Sequence, residues 1–258
     1  MFHLLLIPMI TVALFIGMML MMSLGKKLGT LQLMKRPDKE RSPYGSLEAA
    51  VFGLLGLLIA FSFSGAAGRL DSRKKMVIDE ANCIGTAYLR LDFLPAETQT
   101  ILKEKYRQHV KLRLETFHHF PDIPLVKETY RKNQELLDDI WNQSVAACKA
   151  TKDPAVTTAV VNATNAMIDI TTSRTRQSLM HQPVIIFALL FALALGCSML
   201  AGYGMAINRA RNRIHQFWFA LIMSIVIYVI LDIEYPRTGM IREDYFDKVL
   251  VDQLESMK

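Results

Sequence analysis

Phe2 to Leu24 contains no Lys, Arg, Asp or Glu, and neither does Val184 to Ile207. Few environments suit runs of that length: about 20 apolar residues in a helix cross the roughly 30 Å hydrocarbon layer of a bilayer. Two further segments qualify. Leu47 to Gly68 holds one early acid, Glu48, and Ile214 to Ile233 has no charged side chain before Asp232. We therefore expect four transmembrane helices, at about 2–24, 47–68, 184–207 and 214–233, the fourth with the least length to spare. Hydrophobic residues make up 52% of the chain and charged ones 21%, an excess that sits in these blocks. The first run has no basic start and no A-x-A-like cleavage site, and Lys26 and Lys27 follow it. It is expected to be a retained span and not a cleaved signal peptide.

The formal charge of +6 is concentrated by position. Lys26, Lys27, Lys35, Arg36, Lys39 and Arg41 lie between spans one and two, and Arg209, Arg211 and Arg213 follow span three. Short basic loops stay in the cytoplasm, so both termini and the segment 69–182 are expected on the opposite side. Read this way the charge reports topology, and no nucleic-acid partner is implied. Cys83, Cys148 and Cys197 contain no C-x-x-C and form no disulfide framework. Cys83 and Cys148 are expected to be reduced and buried, with a pairing between the two as the other reading.

Between Leu47 and Leu94 there is no proline, so nothing obliges the second helix to stop at the membrane surface. Past the span, Val77, Ala81, Ile84, Tyr88 and Leu91 recur at helical steps as an apolar face. Asp79, Asn82, Thr86 and Arg90 form a polar face beside it. The expectation is one helix of about 70 Å, half in lipid and half amphipathic, ended by Pro95. Three more stripes follow. They run through Leu102, Tyr106, Val110, Leu114 and Phe117; then Val126, Tyr130, Leu137, Ile140, Trp141, Val145 and Cys148; then Val156, Val160, Ala163, Met167 and Ile170. Lys152-Asp153-Pro154 reads as the cap and start of the third of these helices. No stretch alternates as a strand does. The fold class is all-α, an integral membrane chain with a helical extramembrane bundle at about 69–182, counted as one domain over 1–258. Phe246, Val249, Leu250 and Leu254 add a short C-terminal helix that docks against some other element.

Two motifs carry a resemblance. "DEANCIGTAYLRLDFLPAE" (79–97) and "LDIEYPRTGMIREDYF" (231–246) are similar to those of the bacterial bestrophin-like family of unknown function. Members resemble this chain in an apolar first span, a basic short loop, a Gly-rich second span and a last span ending in an L-D-x-x-x-P-R-x-G type of motif. The resemblance implies a multi-pass protein of the bacterial inner membrane. Its more distant kinship is with bestrophins, pentameric anion channels whose second span lines the pore and whose helical part is cytoplasmic. Here the charge distribution instead favours the helical part outside the cytoplasm.

Several features admit two readings. Ala49, Gly53, Gly56, Ala60, Ser64 and Ala67 make a small-residue stripe on span two, suited to close helix contact within the chain, or to a subunit interface or pore. Phe52, Phe61 and Phe63 either form a hydrophobic constriction or face lipid and core. Asp232, Glu234 and Arg237 at the exit of span four share a membrane side with Arg69 and Arg73, and bridging ion pairs or an ion vestibule would follow. The polar stripe Asp79, Asn82, Thr86, Arg90 is a binding face in an oligomer or a satisfied seam, and Gly85 within it suggests close approach by a neighbouring helix. Glu48 could meet Arg209 or Arg211. His118 and His119 are adjacent and so do not form a metal pair, and the methionines of span one lack a supporting Cys or His. No nucleophile–base arrangement, metal-ligand spacing or phosphate-cradling loop is present, so neither an enzyme nor a cofactor is expected. What remains is a homo-oligomeric pore for small anions in the lipid bilayer, or a membrane-anchored interaction or sensory module without transport.

Overall fold

The first helix, α1 (Phe2–Lys35), does not end where the lipid-soluble run ends. Residues 25–35, expected as the start of a basic loop, continue it for three turns, because nothing before Pro37 breaks a helix. This computed structural model describes residues 2–35, 45–118, 123–207, 213–236, 240 and 244–257. The other elements are α2 (Gly45–Arg90), α3 (Ala96–His118), α4 (Ile123–Thr151), α5 (Pro154–Ser178), α6 (Val184–Ile207), α7 (Arg213–Glu234) and α8 (Asp244–Ser256). Among the described residues there is no strand. Four helices are long and apolar enough to cross a membrane: α1, α2, α6 and α7.

α2 is helical without interruption for 46 residues, about 70 Å at 1.5 Å per residue. It closes in a 3-10 turn at Leu91–Phe93, and Leu94 is extended at φ −89°, ψ 162°. That is the conformation a residue before proline must adopt, since the Pro95 ring excludes the helical one.

Contacts divide the chain into two units, Met1–Leu70 with His181–Ile241 and Asp71–Met180 with Arg242–Lys258. In the first, α1 packs on α6 and α7. Met18, Met22, Leu55, Leu190, Cys197, Ala220, Ile227 and Ile230 are its innermost apolar side chains. Phe15 of α1 meets Phe217 of α7 edge to face, with centroids 5.6 Å apart. The α1–α6 seam depends on glycine. A Cβ on Gly25 would strike the Met199 carbonyl, and one on Gly202 the Met22 carbonyl. Both obstacles are backbone and cannot swing aside. Gly202→Ala should therefore force the two helices apart at a cost of about 1–3 kcal/mol, read as earlier thermal unfolding in detergent. Gly53→Ala, where a Cβ meets nothing within 4 Å, should leave unfolding unchanged.

In the second unit the outer part of α2 packs with α3, α4, α5 and α8 around Ile84, Leu91, Leu102, Tyr106, Val110, Leu137, Ile140, Met167 and Leu250. Each predicted stripe contributes. The predicted cap is formed as well: the Asp153 carboxylate accepts from the amides of Ala155 at 2.8 Å and Val156 at 3.3 Å, with Pro154 opening the helix. Lys152 ahead of it adopts φ 54°, unusual for a residue with a Cβ. All three cysteines are unbridged, Cys148 and Cys197 buried and Cys83 only partly so. The C-terminal helix docks here: Leu250 is fully buried, and the Arg107 guanidinium donates to the Met257 carbonyl at 2.7 Å.

Candidate functional site

The α2 face carrying Gly53, Gly56, Ala60 and Ser64 is exposed within the chain. No atom lies within 4 Å of a Cβ built on Gly53 or Gly56. The opposite face, Leu55, Ser62 and Ala66, is the buried one. Small residues thus mediate close packing between α1 and α6, while the α2 stripe stays unspent in the single chain. Phe61 is 66% exposed and Phe63 45% exposed, flanking that stripe on its two sides. Phe52 is half-buried and set edge to face on Phe219 of α7, centroids 6.1 Å apart.

At the exit of α7, Arg69 of α2 pairs with Glu234, whose side chain is fully buried. It accepts from Arg69 Nε at 2.9 Å, from the Arg69 terminal nitrogen at 2.7 Å and from the Gln182 amide at 2.6 Å. His181 lies 3.7 Å away and stacks on Tyr235. Arg69 also donates to the Gln182 side chain at 3.1 Å. Asp232, likewise buried, accepts from the Met240 amide at 2.9 Å. Arg73 belongs to the other unit, where it donates to the Met180 carbonyl at 2.9 Å. Arg237, His119, Arg209 and Arg211 lie outside the described residues. Glu48 sits beside Gly204 of α6, 3.7 Å from where a Cβ would be.

The polar stripe on the outer part of α2 divides by function. Arg90 donates to the Ala159 carbonyl of α5 at 2.8 Å, a structural tie. Asn82 and Thr86 are exposed and line a cavity of about 410 Å³ with Gly85, Tyr88, Leu89, Gln253 and Ser256, whereas Asp79 is half-buried and outside its lining. The close approach at Gly85 comes from the Gln253 side chain of α8, 2.9 Å from a Cβ built there.

A buried ionic cluster in the second unit escaped the sequence reading. Glu80, fully buried, lies 2.8 Å from Arg113 Nε and pairs with Arg174 through its other oxygen. Arg174 in turn reaches Asp247 of α8 at 3.0 Å, and Arg113 donates to the Thr175 hydroxyl at 3.2 Å. Burial alone would raise the Glu80 pKa, but the two guanidiniums overcome it and hold the carboxyl at about 2. His109 beside them is pushed down to about 4, chiefly by burial with Arg113 adding to it, so it is neutral at pH 7. Its Nδ1–H donates to Asn133 Oδ1 at 2.7 Å. Burial likewise raises Tyr106, to about 12, while its hydroxyl bonds Thr164 at 3.0 Å. A signal was present: Glu80 and Arg113 each interrupt an apolar helix face, and Arg174 continues the α5 stripe one step past Ile170, where a charge calls for a partner.

Comparison with known proteins gives this architecture a family. No curated protein sequence matches the chain significantly. Two crystal structures of a bacterial bestrophin homolog from Klebsiella pneumoniae, each with a different point substitution, superpose on it over 94% of this chain and 98% of that one. Their TM-scores are 0.72 at 10% identity and 0.68 at 12% identity. Identity that low establishes a shared fold. A third match, described only as a membrane protein, has a TM-score of 0.68 at 10% identity over 94% of this chain and 97% of that one. The family model for the Bestrophin-like domain matches residues 45–242, most of the chain, with all of the first quoted motif and the second as far as Arg242. The chain belongs to the bestrophin-like family of membrane proteins.

Proposed function

We propose that this protein is a homo-oligomeric ion channel, conducting small anions, with α2 set against the symmetry axis. The observation that carries the reading is the unspent face of α2. Lipid tails pack well against large apolar side chains, but a groove of Gly53, Gly56, Ala60 and Ser64 offers them little surface. Such a face is better used against another helix or along a water-filled path. Phe61 and Phe63 at its margins would supply a narrow apolar ring that gates by dewetting. The family resemblance adds weight on the anion and on the ring, and basic residues at the membrane ends favour an inner-membrane topology with 69–182 outside the cytoplasm.

Native mass measurement and halide flux in proteoliposomes test the reading together. The purified protein should run as a closed ring and pass chloride. Gly56→Trp should keep the ring and cut flux at least tenfold, since an indole fills the path that hydrogen leaves open. A monomer in mild detergent, or full flux through the variant, would remove the channel and leave a membrane-anchored module.

A further inference from the structure

In the first unit, α1 and α7 enclose a cavity of about 610 Å³ lined by Ser23, Lys26, Lys27, Thr30, Leu31, Arg213 and Gln216. Three cations converge on it, and no carboxylate pairs with any of them among the described residues. Its lining begins one residue before the apolar run of α1 ends, so the cavity lies at the level where lipid headgroups begin. Below and beside it the surface is apolar: Leu24, Leu28, Ile214, Phe217 and Trp218 are each 44–67% exposed. A tryptophan at that level is a headgroup-depth anchor.

We propose that this cavity binds the headgroup of an anionic glycerophospholipid, with the phosphodiester held by Lys26, Lys27 and Arg213 and the acyl chains along the apolar surface beside it. The hydroxyls refine the ligand. Ser23 donates its proton to the Met19 carbonyl at 3.0 Å and Thr30 donates to the Lys26 carbonyl at 2.9 Å. Their oxygens therefore face the cavity as acceptors, with nothing left to give a phosphate. They suit a headgroup that itself carries hydroxyl donors, such as the glycerol of phosphatidylglycerol. Bare inorganic phosphate shares the charge but lacks both the hydroxyls and the chains.

The test is native mass spectrometry of the full chain in micelles containing equal mole fractions of phosphatidylglycerol and phosphatidylcholine. The wild type should retain phosphatidylglycerol selectively. Neutralising all three cations (Lys26→Gln, Lys27→Gln and Arg213→Gln together) should lower that retention at least tenfold, as removal of three charges near an anionic surface predicts. Lys74→Gln with Lys75→Gln, basic residues of the other unit, should leave it unchanged. Unfolding in lipid-free detergent shows whether the triple variant is folded. If it is not, Lys27→Gln and Arg213→Gln are read singly, both exposed and each expected to cost about fivefold. Retention unaltered in the folded variants overturns the proposal. So does displacement of the lipid by inorganic phosphate at equal concentration, which would make the cavity a free-anion site. Neither outcome depends on whether the protein forms a ring or conducts.

Discussion

Glu80→Ala should cost about 3–5 kcal/mol, because it removes the carboxylate that two buried guanidiniums share. Arg113 and Arg174 are 1% and 4% exposed at their side chains, so neither can turn to water for compensation. In detergent the loss should appear as a fall of about 10 °C or more in unfolding temperature. Because Arg174 also holds Asp247, α8 should loosen with it, seen as faster amide exchange across Asp244–Ser256. Glu80→Leu combined with Arg113→Met, Arg174→Met and Asp247→Asn should recover much of the loss, since a well-packed cluster without charge avoids the desolvation cost and leaves no carboxylate behind.

The same cluster sets the acid behaviour of the bundle. His109 has its pKa lowered from 6.5 to about 4 on folding, so between those values the unfolded chain takes up a proton that the folded chain refuses. Stability therefore falls as pH drops below about 6.5. Glu80 is lowered from 4.5 to about 2, so a second loss in the same direction follows below pH 4.5. Unfolding temperature measured from pH 8 to pH 4 should be flat at first and then decline. His109→Gln should remove the upper part of that decline and leave the lower part.

The parts of the fold legible in the sequence are those governed by a repeat or by a breaker. Four apolar runs announced the spans, and the proline-free stretch to Leu94 announced the long α2. Asp153-Pro154 announced a helix start because cap chemistry is local. The same test for breakers, applied past Lys27, would have extended α1 to Lys35. What could not be read is pairing. Gly25 and Gly202 are 177 positions apart, and nothing local says that one helix's glycine meets the other's carbonyls. The stripe on α2 looked equally suited to that role, and only three-dimensional contacts show it unused. Glu80 sits inside the motif quoted for the family, yet its partners come from two other helices, Arg113 of α3 and Arg174 of α5. A charge on an apolar face signals that a partner exists without saying which.

At the exit of the last span, Glu234→Ala should cost about 3 kcal/mol, at the low end for a broken buried pair because Arg69 keeps 25% of its side chain in solvent. Asp232→Asn should cost only about 1 kcal/mol, because the amide oxygen still accepts from the Met240 backbone. The order matters more than either value. Both acids occupy the same L-D-x-E stretch and both are buried, so burial alone predicts equal losses. Glu234 binds three donors at once, two from Arg69 on α2 and one from the Gln182 amide ahead of α6. It thereby ties three spans at one point, and its loss should release the α2 end of the first unit. Arg69→Met should then resemble Glu234→Ala in unfolding temperature, and the double change should cost less than the sum of the two. Equal losses for Asp232→Asn and Glu234→Ala would mean that the tie through Arg69 contributes nothing beyond the burial of a carboxylate.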